Sequence, residues 1–326
     1  MGTPVDPVPE VIQRALAEAA NAPGYPLTAG TAALRSAIQD WVTRTCDAPP
    51  GFGVFPSIGS KELIAWLPTL LGLGPGDVVV IPEVCYPTYE VGVQLAGATA
   101  VRSDSLLALG PIRPKLVWIN SPSNPTGRVL PPAHLRKVID WARERGTLLA
   151  SDECYFTLPW DAEVASVLSL CGGDYRGIIA LHSLSKRSNL AGYRAAFAAG
   201  DPELLAEVLA VRKHAGMIMP GPVQAAMIAA LGDESHVDSQ RTLYASRRSL
   251  LRAVLADAGF TIDHSEAGLY LWATRGEDCW KTVDWFASHG ILVAPGSFYG
   301  PAGAQHVRVA LTATDERVKA AVDRLA

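Results

Sequence analysis

Between residues 52 and 199 the chain alternates short apolar runs with longer stretches in which apolar residues recur every three or four positions. Short runs bounded by turn residues read as buried strands, and the wider spacing reads as helices. The pattern predicts strands at 52–56, 78–81, 115–119, 147–151, 177–181 and 195–199, with helices at 60–71, 131–145 and over the residues up to 96. Ahead of them lie an extended proline-rich start at 1–9 and helices at 9–20 and 31–45, the second with Thr31 in its N-cap region. Beyond residue 200 come helices at 201–213 and 220–231 and a long one at 237–258. Strands at 259–263, 269–273, 291–294 and 307–311, a helix at 278–289 and a terminal helix complete the chain.

Strands alternating with helices imply an α/β fold, a mostly parallel sheet flanked by helices. A smaller α+β C-terminal domain is expected beside it. The division is drawn at 10–240 for the large domain, with 1–9 and 241–326 forming the small one.

Composition narrows the class. The 326 residues are 49% hydrophobic, enough for a large core. A net charge of −4, well mixed, gives no electrostatic footprint for nucleic acid. No apolar run approaches the roughly 20 residues that span a bilayer. The N-terminus lacks the basic start and apolar core of a secretory signal. Cysteines at 46, 85, 154, 171 and 279 are scattered, odd in number and without Cys-x-x-Cys spacing. They predict no disulfide framework, no metal site and a cytoplasmic protein. Cys85 and Cys154 read as small core residues.

Candidate chemistry gathers at predicted strand ends. The run 177–181 delivers Ser183, Ser185 and Lys186 into an expected loop, and Gly192 and Arg194 follow before the next strand. A lysine can form a Schiff base with a carbonyl. Hydroxyls and a guanidinium suit a phosphate. One small molecule carries both groups: pyridoxal 5′-phosphate (PLP). A lysine in a loop is more often simply solvated, so the neighbours matter. Gly59-Ser60-Lys61 links a strand to a helix, an anion site in outline, although serine there is also an ordinary cap. Tyr86 follows a strand end, where it could stack on a flat ring or pack beneath its helix. Asn124 lies in a rigid Asn-Pro-Thr-Gly turn. Asp152 closes a buried strand, where a carboxylate is costly unless paired; it could cap the next segment or face a cationic ring nitrogen. Arg308 stands between valines in an alternating strand and must meet an anion, most simply a carboxylate of the chain itself. Tyr25, between glycine and proline, reads as a turn residue outside the core.

Taken in order, these segments resemble the class I/II aminotransferases of fold type I, the aspartate aminotransferase-like PLP enzymes. The matching residues are Gly24-Tyr25-Pro26 with Gly30 and Leu34-Arg35, Gly59-Ser60-Lys61, Tyr86-Pro87, Asn124 to Gly127, Asp152 to Tyr155, Ser183 to Lys186, Gly192-Tyr193-Arg194, and Arg308. The opening Thr3 to Glu10, with Tyr25 to Thr31, is most similar to actinobacterial N-succinyldiaminopimelate aminotransferases of lysine biosynthesis. Relatives usually carry some tens of residues before this point, a segment that closes over substrate. The chain is therefore expected to be a short form or to lack that start, with Gly2 matching a glycine whose backbone lies near the substrate.

The resemblance implies roles residue by residue. Lys186 holds PLP and moves the substrate proton. Asp152 pairs with the pyridinium nitrogen. Asn124 and Tyr155 hydrogen-bond the ring oxygen, and Tyr86 stacks on the ring. Ser183, Arg194 and the helix start at Gly59, Ser60 and Lys61 take the phosphate, with Ser185 a further ligand. Tyr25 reaches the phosphate of a second subunit, making a homodimer with a composite site. Arg308, with Asn124 and Gly2 nearby, receives the substrate. The expected substrates are amino acids and 2-oxo acids, with glutamate and 2-oxoglutarate as one pair, in ping-pong order. Lys61, Arg35 and Arg128 are candidates for a distal carboxylate. The alternatives are an aspartate, alanine or aromatic aminotransferase or a PLP-dependent β-lyase. A PLP-binding regulator is more distant, since it would carry a basic DNA-binding domain ahead of this fold.

Overall fold

The computed structural model describes residues 2–326. Seven strands build the larger sheet: β1 (Gly53–Ile58), β2 (Val78–Ile81), β3 (Thr99–Arg102), β4 (Leu116–Asn120), β5 (Leu148–Asp152), β6 (Ile178–Ser183) and β7 (Ala195–Gly200). Their order is β1-β7-β6-β5-β4-β2-β3. Pairings from β6 through β5, β4 and β2 to β3 are parallel, whereas β7 runs antiparallel to both β6 and β1.

Strand alternation divides the core into two layers. On β4, Val117 and Ile119 pack with the helices Ala32–Cys46 and Pro132–Arg145, while Leu116 and Trp118 pack with Ser60–Leu70 and Thr88–Leu95 on the other face. Both faces are covered, which is why these strands read as nearly continuous apolar runs.

Three expectations need correction. The segment after Ser183 is not irregular: Leu184–Arg187 forms one helical turn, and the Ser183 hydroxyl accepts from the Ser185 N–H at 3.2 Å. β3 went unpredicted because it is a four-residue edge strand that is half-buried at most, so no apolar run marks it. The predicted strand at 291–294 shrinks to Ala294–Pro295.

The second sheet is antiparallel throughout. It comprises β8 (Thr261–Asp263), β9 (Tyr270–Thr274), β10 (Ala294–Pro295) and β11 (His306–Ala310), in the order β10-β11-β9-β8. On β11, Val307 and Val309 enter the core and Arg308 takes the opposite face, as the alternation predicted. The long helix Ser235–Asp257 runs between the sheets, and its Arg247 holds Asp6 through two bonds of 2.7 and 2.8 Å. That clamp fixes the extended start of the chain, residues 2–7, across the carboxyl ends of the parallel strands. Among the described residues no helix is long and apolar enough to cross a membrane.

Candidate active site

The parallel strands β2, β4, β5 and β6 end on one rim, and their last residues and the turns after them line a cavity of about 510 Å³. Tyr86, Asn124, Asp152, Tyr155, Ser183, Ser185 and Lys186 come from that rim. Ser60, Lys61 and Arg194 close one side, and Gly2 and Arg308 close another. Every one of these was expected from the sequence. Gly59 stands directly behind: a Cβ on it would lie 2.1 Å from an Arg194 guanidinium nitrogen, so only glycine lets the arginine approach this turn. Gly59 itself has φ +79°.

Lys186 points its amine into the cavity, where it donates to the Gly2 carbonyl. Burial lowers its pKa to about 8; Arg308 and Arg194 push the same way, and Cys154 opposes them. Asp152 is 4% exposed, and burial raises its pKa. Tyr89 donates to it at 2.7 Å and the Cys154 N–H at 3.1 Å. No cation pairs with Asp152 among the described residues. A buried carboxylate with only neutral donors is suited to a cationic partner arriving with a ligand.

Among the described residues Arg308 meets no carboxylate, contrary to the simpler expectation. One of its guanidinium nitrogens donates to Asn124 Oδ1 at 2.8 Å. The guanidinium carbon lies 3.9 Å from the Tyr270 ring centre and 5.0 Å from that of Tyr299. Aromatic faces orient the group without neutralising it. Among the described residues its buried Nε has no hydrogen-bond partner.

Three residues of the site escaped the sequence reading. Asn120 closes β4; it accepts from the Asn124 N–H at 2.7 Å and donates to the Asp152 carbonyl at 2.9 Å, tying two site residues together. Tyr89 supports Asp152. Tyr270 places its hydroxyl 3.1 Å from that of Tyr155. Asn120 sits at a strand's carboxyl end, a signal that could have marked it. The tyrosines become visible only once the strands are assembled.

Other expected residues lie elsewhere. Tyr25 is 99% exposed and outside the cavity. Arg35 donates to the Gly30 carbonyl, and Arg128 lines a separate cavity, leaving Lys61 as the member of that trio at the Lys186 cavity. Cys154 lines the cavity too, while Cys85 is buried in the core. Although cysteine spacing predicted no metal cluster, ligand atoms of Cys46, Glu153 and His182 lie within 4.8 Å of one another behind the site. There His182 Nε2 is 3.4 Å from Glu153 Oε2, and burial pushes the imidazole pKa down to about 3.

The cavity thus combines a buried amine with a lowered pKa, a buried carboxylate with only neutral donors, an arginine–glycine cradle and a second arginine on aromatic faces. That donor set fits PLP: an amine for its aldehyde, a carboxylate for its ring nitrogen and a cradle for its phosphate.

Comparison with known proteins agrees. The chain is 62% identical over 333 residues to a probable aminotransferase of Mycobacterium tuberculosis, covering 100% of this chain and 79% of that protein. It is 55% identical over 331 residues to the 4-dedimethylamino-4-oxo-anhydrotetracycline transaminase of Streptomyces rimosus, covering 100% and 91%. The solved structure of a probable N-succinyldiaminopimelate aminotransferase from Thermus thermophilus superposes with a TM-score of 0.90 at 28% identity, covering 100% and 92%. The family profile described as aminotransferase class I and II matches residues 2–325. The chain belongs to the class I and II aminotransferases, a family of PLP-dependent enzymes.

Proposed function

We propose that the chain transfers the amino group of N-succinyl-LL-2,6-diaminopimelate to 2-oxoglutarate at the Lys186 cavity, in ping-pong order. The observation that carries the transaminase part of this reading is the convergence of Lys186, Asp152, Arg194 and Arg308 on one cavity. When bound, PLP supplies an aldehyde that condenses with amines and a ring that withdraws electrons from the substrate Cα.

The chain's own residues do the rest. Lys186, with its pKa lowered to about 8, takes the Cα proton as a neutral amine and returns it on the other side of the reaction. Asp152 holds the proton on the ring nitrogen. Asn124 and Tyr155 donate to the ring oxygen; since Asn124 already accepts from Arg308 through Oδ1, its Nδ2 is left to donate. Tyr86 stacks on the ring. Ser183, Ser185, Arg194 and the turn at Gly59, Ser60 and Lys61 hold the phosphate. Arg308 clamps the α-carboxylate with its two-pronged guanidinium, beside Gly2. The fully exposed Tyr25 is assigned to the phosphate site of a second copy of the chain, which makes the working unit a homodimer. The domain division at residue 240, with 1–9 joining the smaller unit, allows that unit to move over the cavity. The enzyme is read as cytoplasmic.

Both proposed substrates carry a distal carboxylate, and Lys61 lines the cavity to receive it. The named activity of the Thermus thermophilus structure supports the same choice. A second reading comes from the Streptomyces rimosus relative, whose name gives a polycyclic ketone as the acceptor. The test is product analysis. Glutamate formed from N-succinyl-LL-2,6-diaminopimelate and 2-oxoglutarate supports the first reading. Amination of a polycyclic ketone alone supports the second. Release of ammonia and pyruvate from a β-substituted amino acid would reveal a β-lyase instead.

A further inference from the structure

The geometry points to Tyr270 as a positioning residue with two separable roles, its hydroxyl acting on Tyr155 and its ring on Arg308. This inference rests on the PLP reading above. Tyr270 is 4% exposed and faces the cavity from β9. Its hydroxyl lies 3.1 Å from that of Tyr155, and either oxygen could donate in that pair. A phenol has one hydrogen to give. If Tyr155 spends its hydrogen on the cofactor's ring oxygen, the hydrogen between the tyrosines must come from Tyr270. The result is a directed chain, from Tyr270 to Tyr155 to the cavity. A hydroxyl that accepts one bond becomes a better donor in the next.

The surroundings keep this pair apart from solvent. A Cβ at Gly2 would lie 2.0 Å from the Tyr270 oxygen, so the start of the chain lies directly against the hydroxyl and shields it from water. Meanwhile the face of the same ring carries the Arg308 guanidinium at 3.9 Å. Hydroxyl and ring therefore serve different ends of the substrate–cofactor pair.

The test is a pH titration of the bound cofactor's visible absorbance in the holoenzyme, for wild type, Tyr270→Phe, Tyr155→Phe and the double variant. Tyr270→Phe keeps the ring and loses the hydroxyl, and should raise the midpoint by about half a unit to one unit. In the Tyr155→Phe background the same change should do nothing, because the relay is already cut. The KM for glutamate should stay within about twofold in Tyr270→Phe and rise about tenfold in Tyr270→Leu, which lacks the cation–π face. An unchanged midpoint in Tyr270→Phe, or an equal shift in both backgrounds, overturns the relay. An unchanged KM in Tyr270→Leu overturns the ring's role. A wild-type protein with no cofactor band overturns the PLP reading and this inference together, an outcome distinct from the other two.

Discussion

The Tyr89 hydroxyl donates to Asp152 Oδ2 at 2.7 Å, inside the layer beneath the cavity floor. Tyr89 also stacks on Trp118 with ring centres 5.0 Å apart. The tyrosine therefore has a fixed orientation, and the carboxylate is aimed by it. Removing the hydroxyl leaves a buried oxygen unsatisfied, which costs about 1–3 kcal/mol. Tyr89→Phe should bind PLP at least several-fold more weakly than wild type. Equilibrium dialysis against PLP measures this, and an unchanged affinity would show that Asp152 holds its place without help.

Arg308 reaches Asn124 through one bond and lies over the Tyr270 ring. Lysine there keeps the charge but loses the planar fork and much of the stacking. Arg308→Lys should lower kcat/KM by about a hundredfold for both the amino donor and the oxo acid, an effect near 2.7 kcal/mol. Steady-state kinetics with each substrate varied in turn would expose a loss confined to one of them, and that outcome removes Arg308 as the shared carboxylate clamp.

At Gly59 the backbone has φ +79° and ψ 149°, a region open almost only to glycine, and a Cβ would strike the Arg194 guanidinium. Gly59→Ala must both strain the turn, by about 1–3 kcal/mol, and displace the arginine. PLP affinity should fall at least tenfold while the fold persists. Parallel circular dichroism and PLP titration separate the two effects; wild-type affinity would mean that the arginine does not work from this position.

The Lys186 amine has its pKa lowered to about 8, chiefly by burial, with Arg308 and Arg194 assisting. For a lysine, a lowered pKa means that the neutral form appears at lower pH. In cofactor-free protein its modification by an amine-directed reagent should follow a midpoint near 8, well below the usual value of about 10.4 for lysine. Peptide mapping across pH reads this site by site. Arg194→Gln removes one nearby cation and should move the midpoint upward; movement downward would reverse the electrostatic account.

Much of the fold was legible because its strands are buried on both faces and stand out as apolar runs between turns. Val78–Ile81 appears in the structure with the bounds the sequence indicated. β3 did not, since an edge strand carries no such run. The reversal of β7 was equally silent, because strand composition does not encode direction. Most candidate site residues were legible for one reason: they follow strand ends, and parallel strands share a rim. Tyr89 and Tyr270 were not, since each acts through a neighbour that is distant in sequence, Asp152 and Tyr155 respectively; Asn120 carried the same strand-end signal as the others and was passed over. Arg308 shows an intermediate case. Its alternation put it on one face of a half-buried strand, but its partners are an amide and two aromatic rings rather than the carboxylate that charge alone suggested.

The most direct test of the central claim is a half-reaction. Protein loaded with PLP, freed of excess and mixed with glutamate alone, should yield one 2-oxoglutarate per site, with loss of the visible cofactor band. Adding an oxo acid should then restore the band. Borohydride reduction before glutamate should fix the cofactor on the peptide that carries Lys186 and abolish the exchange. Absence of 2-oxoglutarate from a loaded protein, or fixation on a different lysine, would contradict the assignment of transamination to this cavity.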